Sequence, residues 1–175
     1  MNGPLRFGVI GAGRVGTLHC ELLAHGVEGA AVSAVCDVDR DRAAAAAALA
    51  RGAIAIADPA ELIGSPDVDA VAICSATDTH AELIEAAAAA AKPVFCEKPV
   101  ANEPAAVERA CAAAERAVRT RCGVQSGPAN GTGTTSIRQQ PPPRLAERIV
   151  RIGSNSPLAA AFWLRLGHRQ KGVGL

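Results

Sequence analysis

Apolar and polar positions alternate in blocks along the first two thirds of the chain. Short apolar runs of strand length are separated by longer stretches of helical character. "LRFGVI" reads as a first strand and ends in a glycine turn, and Arg14 to Ala24 reads as the helix after it. "AVSAVC" predicts a second strand, and "DRDRAAAAAALAR" a helix with Asp39 or Asp41 in its first turn, where a carboxylate favours the helix dipole. "AIAIA" predicts a third strand, and "DPAELI" a helix with Pro59 in its first turn. "DAVAIC" predicts a fourth strand. "THAELIEAAAAAAK" predicts a long helix, with Thr79 and Glu82 spaced as a capping box. "PVFC" and "EPAAVERACAAAERAVR" complete the series as a fifth strand and a further helix. Strands that are apolar throughout, alternating with helices, predict an α/β fold of Rossmann type, a doubly wound parallel sheet covered on both faces. Ligands of such sheets sit at the carboxyl ends of the strands.

The character changes near residue 120. "CGVQSGPANGTGTTSIRQQPPPR" is rich in Gly, Pro, Thr, Ser and Gln and has no core-forming period. Residues 1–120 are therefore expected to form the domain, and residues 121–175 an irregular tail. Within that tail, "LAERIVRI" and "LAAAFWLRLG" are each long enough for a short helix or strand. "GTGTTS", Gly131 to Ser136, lacks the lysine and flanking strand of a phosphate-binding P-loop.

Composition narrows the picture. Aromatic residues are 2% of the 175, so the core is built from Ala, Val, Ile and Leu. The net charge of +1 and scattered arginines without aromatic platforms argue against a nucleic-acid partner. No apolar run reaches membrane-spanning length and the start has no signal-like layout, so no membrane span is expected. The six cysteines form no C-x-x-C pair, and three end apolar strand-like runs. They read as buried reduced thiols of a cytoplasmic protein, with no metal site.

The chemistry concentrates at strand ends. Gly11, Gly13 and Gly16 have the G-x-G-x-x-G spacing of a dinucleotide-binding turn, with Ala12, Arg14 and Val15 between them. In that motif the first glycine permits the tight turn, the second admits the pyrophosphate, and the third lets the helix pack on the strand. The helix amino end then faces the phosphate charge. Asp37 ends the second strand at the distance expected of a ribose-hydroxyl acceptor. A carboxylate there repels a 2′-phosphate, which favours NAD over NADP, and Arg40 reads as a solvated helix-end residue.

"AICSATDTHAELIEAAAAAAKPVFCEKPVA", residues 72 to 101, adds a second set of motifs. With the glycine turn and Asp37 before it, this stretch resembles the glucose–fructose oxidoreductase / inositol dehydrogenase (Gfo/Idh/MocA) family of NAD(P)-dependent sugar and polyol oxidoreductases. It looks most like the bacterial inositol 2-dehydrogenase branch. The resemblance covers residues 5 to about 118. It implies that Ser75, Ala76 and Thr77 line the cofactor groove, that His80 lies near the nicotinamide end, and that Glu97 adjoins the cofactor. It also implies that Lys98 of the E-K-P motif reaches the substrate hydroxyl and supports proton transfer. A lysine in a half-buried crevice beside a cofactor cation suits that role. Pro99 is a candidate for a cis bond.

The implied activity is hydride transfer between NAD and a polyol or sugar hydroxyl, here represented by the cofactor-binding part. The family's second, α+β domain, with its Asp/His pair and the sheet that makes a homo-oligomer, is not seen. No aspartate follows Asp78, and His168 has Leu164 four residues before it. With suitable codons, Cys122 to Ser126 read one base later gives Val-Gly-Phe-Asn, where the family enters its sixth strand. The tail is therefore expected to be truncated or frameshifted, and loss of that strand to expose an apolar sheet edge. The competing expectation is a catalytically inactive NAD-binding module.

Overall fold

A computed structural model describes residues 3–121 and 150–152, with side chains through residue 117. The elements run β1 (Leu5–Ile10), α1 (Arg14–Glu21), a π-helical turn (Leu22–Gly26), β2 (Ala30–Cys36), α2 (Arg40–Leu49), β3 (Ile54–Ile56) and α3 (Pro59–Gly64). They continue with β4 (Ala70–Ile73), α4 (Thr77–Ala89), β5 (Val94–Cys96), α5 (Pro104–Arg121) and β6 (Val150–Ile152). The strands form one parallel sheet in the order β3-β2-β1-β4-β5-β6. The order reverses between β1 and β4, so a crevice opens at their carboxyl ends.

The apolar strands cover both faces, as the unbroken hydrophobic runs predict. Phe7 and Val9 of β1 join one core cluster with Cys20, Leu23, Val35 and Ala46, while Ile10 joins the other with Leu62, Ile73 and Ile84. Helix starts follow local chemistry. The Asp39 carboxylate accepts from the N–H groups of Asp41 and Arg42 at the head of α2. Asp58 accepts from Ala60 N–H ahead of Pro59 in α3.

Three boundaries differ from the sequence reading. α4 begins at Thr77 with Ala76 as its cap residue. The Thr79 hydroxyl lies inside the first turn and donates back to the Ala76 carbonyl at 2.8 Å, so no capping box with Glu82 forms. α1 is shorter than expected and runs into the π-helical turn, where the His25 ring meets the Leu49 carbonyl at 2.7 Å. The edge beside β5 is not left open. Val150–Ile152, from the segment read as irregular tail, pairs with it in register Val94↔Val150 through Cys96↔Ile152. The three residues belong to "LAERIVRI", and β-branched Val and Ile favour a strand. The rest of 122–175 lies outside the described residues, including Cys122 and the Gly131–Ser136 stretch.

Cys20, Cys36 and Cys96 are free and buried. Burial pushes the Cys20 and Cys96 thiols up to about 12 and Cys36 to about 11, so they serve as small core residues. Among the described residues no group of side chains could hold a metal ion, and no helix is long and apolar enough to cross a membrane.

At the sheet's amino edge Arg6 donates through Nε to Asp69 Oδ2 at 3.0 Å and through Nη2 to Oδ1 at 2.9 Å. These bonds hold the Asp69 carboxyl below its ordinary value of 3.8. A depressed folded value means the contribution is full above the unfolded value and is lost as pH falls through the folded one. Asp69→Asn should therefore lower the melting temperature by a few degrees at neutral pH, with the difference vanishing in the acid range. Thermal melts of both proteins from neutral to acid pH test this. A difference that persists unchanged into acid would refute it.

Candidate functional site

The turn between β1 and α1 is made by two glycines that touch. Gly11 adopts φ +96°, and its N–H donates to the Cys36 carbonyl at 2.7 Å. A Cβ on Gly16 would sit 1.7 Å from the Gly11 carbonyl oxygen, so the helix lies directly on the turn. Gly13 is different. Nothing lies within 4 Å of where its Cβ would be. It occupies the N-cap of α1, where no side chain caps the helix and no acidic residue stands in the first turn. The first N–H groups of α1 are thus open to an anionic ligand.

Asp37, immediately after β2, faces this turn. Its Oδ2 accepts from Ala12 N–H at 2.6 Å and its Oδ1 from Asp39 N–H at 2.9 Å. A carboxylate has about four acceptor positions, so two backbone bonds leave capacity for a diol. The open space over Gly13, the uncapped helix and this carboxylate fit a dinucleotide, with the phosphates at α1 and a ribose at Asp37. Ala12 contributes its N–H to the Asp37 bond. Arg14 and Val15 are exposed and line an open depression of about 390 Å³ along α1 with Thr17, Leu18 and Glu21.

The loops after β4 and β5 form the other wall. The Ser75 and Thr79 hydroxyls pair at 2.7 Å. Ala76 is exposed and Thr77 opens α4. Glu97 donates its N–H to the Ile73 carbonyl at 2.9 Å, which ties the β5 loop to β4. The Lys98–Pro99 bond is cis. Lys98 is exposed, its backbone N–H donates to Glu97 Oε2 at 3.4 Å, and no partner is seen for its ammonium among the described residues.

Gly11, Ala12, Gly13, Gly16 and Asp37 are therefore brought together, with the Ser75 backbone packed against Gly11. Two candidates are placed otherwise than the sequence suggests. Glu97 directs Oε1 to His19 Nε2 at 2.6 Å, toward α1. His80 is 2% exposed, with both ring nitrogens against backbone carbonyls, which puts the ring beneath the crevice loops. His19 is the site residue that the sequence reading does not single out. Its signal is a polar residue three positions after Gly16 on the buried face of α1, beside Cys20.

The comparisons agree with this geometry. The family model GFO_IDH_MocA, described as an oxidoreductase family with an NAD-binding Rossmann fold, matches residues 5–126. The inositol 2-dehydrogenase of Acidothermus cellulolyticus is 50% identical over 101 residues, covering 58% of this chain and 30% of that protein. The inositol 2-dehydrogenase of Klebsiella pneumoniae is 37% identical over 171 residues, covering 97% of this chain and 47% of its own. The crystal structure of myo-inositol dehydrogenase from Lactobacillus casei in complex with NAD(H) and myo-inositol superposes with a TM-score of 0.61 at 32% identity. That match covers 63% of this chain and 33% of the other. The chain thus spans between 30% and 47% of the length of these two curated relatives.

Proposed function

Because the chain belongs to the GFO_IDH_MocA oxidoreductase family, whose NAD-binding Rossmann model it matches over residues 5–126, we propose that it serves hydride transfer between NAD and a hydroxyl-bearing carbon of an inositol-type polyol or sugar. The observation that carries this reading is the junction of Asp37 with the glycine turn, where a ribose acceptor and an open phosphate site share one bond at Ala12 N–H. Bound NAD would supply the hydride acceptor. The chain's own residues then divide the work. Gly13 and the first turn of α1 receive the pyrophosphate, and Asp37 receives the adenosine ribose. Ser75, Ala76 and Thr77 line the groove toward the nicotinamide. Lys98 takes or returns the hydroxyl proton, since a free amine at a strand's carboxyl end can reach a substrate there. Residues 1–120 form the cofactor domain in this reading, acting in the cytoplasm with reduced thiols.

NADH fluorescence titration tests the binding, and NAD reduction with myo-inositol tests the reaction. Binding of NADH with inositol-dependent turnover that Lys98→Ala abolishes supports the full reading. The match to 30–47% of the two relatives' length favours a second reading, an NAD-binding module without turnover. NADH binding with no turnover selects it, and absence of NADH binding defeats both. Asp37→Asn should reduce the preference for NADH over NADPH by about tenfold, because the repulsion of a 2′-phosphate is removed while an acceptor oxygen remains. Paired titrations read the ratio, and an unchanged ratio would remove Asp37 from the ribose site.

A further inference from the structure

Two buried histidines close on the segment that carries Lys98. His19 of α1 is 1% exposed, and its Nε2 donates to Glu97 Oε1 at 2.6 Å. His80 of α4 is 2% exposed, and its Nδ1 donates to the Pro99 carbonyl at 2.8 Å. The residues on either side of Lys98 are thus each held by a ring from a different helix. Both rings also belong to helices that start at the cofactor crevice. α1 begins at the phosphate turn, and His80 Nε2 meets the carbonyl of Ser75 at 3.0 Å. His19 leaves Nδ1 without a partner in the interior. A buried ring with an unmet nitrogen is disfavoured against an aliphatic side chain of similar size. What the histidine supplies and an aliphatic residue does not is the bond to Glu97.

We propose that His19 and His80 are positioning residues that clamp Glu97 and Pro99 and thereby set where Lys98 stands relative to bound NAD. The proposal rests on the reading of Lys98 as the proton-handling group. It adds that the lysine's placement is set from beneath, by side chains that touch neither cofactor nor substrate. Because His19 sits on the helix that begins at the glycine turn and His80 meets the Ser75 carbonyl from α4, the clamp joins the two walls of the crevice.

The chain has three lysines, Lys92, Lys98 and Lys171, so reductive ¹³C-methylation gives a spectrum that Lys98→Ala assigns. Lys92 is an internal control. Its Nζ donates to the Ser65 and Val68 carbonyls, away from the E-K-P loop, and reports an intact fold. His19→Leu and His80→Leu should each speed amide exchange at Lys98 by about tenfold or more and leave the Lys92 signal in place. Both should also lose the displacement of the Lys98 signal that NADH causes in the unaltered chain. His19→Gln and His80→Asn, which keep an N–H near the lost ring nitrogen, should restore exchange to within about threefold. Glu97→Gln weakens the charged partner of His19 while keeping an oxygen for Lys98 N–H, which Glu97 Oε2 accepts at 3.4 Å. It should shift exchange in the direction of His19→Leu, which keeps the His19 arm testable should the leucine variant fail to fold. His80→Asn serves the His80 arm in the same way, because folding with loss of protection at Lys98 in that variant counts against it. Leucine or Glu97→Gln variants with wild-type exchange at Lys98 overturn the proposal. If the unaltered chain binds no NADH, the NAD reading falls by itself, and the exchange measurements still decide the clamp.

Discussion

Gly16→Ala should cost the domain about 3 kcal/mol or more, enough to lower its melting temperature by about 10 °C or beyond. The added methyl would stand 1.7 Å from the Gly11 carbonyl oxygen and 2.8 Å from its carbonyl carbon. Those are backbone atoms, so no rotamer change relieves the overlap. The turn cannot retreat either. Gly11 is held by its N–H bond to Cys36, and a Cβ on it would lie 2.5 Å from Ser75 N. Either α1 lifts off the sheet or the turn shifts into the β4 loop. Calorimetry of the two proteins measures the loss, and a melting temperature within about 2 °C of the unaltered chain would show that helix and turn are looser than described.

Gly13→Val should have the opposite signature. The valine finds open space and a φ of −69° that any residue adopts, so the fold persists. The melting temperature falls only by the few degrees that a poor N-cap residue costs. NADH affinity, however, should fall about 100-fold, because two methyl groups occupy the approach to the α1 N–H groups. The pair separates two uses of glycine three residues apart in one motif. One is required by the protein's own atoms and the other by the ligand's. An affinity within about threefold of the unaltered chain for Gly13→Val would place the phosphates elsewhere.

The sheet was legible because its information is local. Strands β1 to β5 are each a short, mostly apolar run, and Asp39, Asp58 and Pro59 mark helix starts within a few residues of where they act. The packing of Gly11 on Gly16 and the approach of Asp37 to Ala12 N–H were legible for a related reason, since these positions follow from spacing along one βαβ unit. What the sequence obscured is what depends on distant pairing. His19 acquires its role from Glu97, 78 residues further on. His80 meets Pro99, 19 residues away, and both its nitrogens end on backbone carbonyls that carry no residue-specific mark. Glu97 was placed beside the cofactor by the family resemblance alone, which carries no information on its bond to His19 Nε2. The Thr79–Glu82 spacing misled for the opposite reason. The pattern was present, but Ala76 precedes it with extended backbone and the helix starts there. The strand that pairs with β5 comes from "VRI", three residues that no periodicity distinguishes from their surroundings.

The prevalence of alanine among the buried residues of the core has a thermodynamic consequence. Heat-capacity change on unfolding scales with the apolar surface released, and alanine releases little. With aromatic residues at 2% of the chain, few large side chains offset this. Unfolding of this domain should then show a heat-capacity increment below the usual ~12–15 cal/mol/K per residue. A small increment broadens the dome of stability against temperature. The domain would hold a nearly constant margin from cold to warm conditions, and its response to urea would be correspondingly shallow.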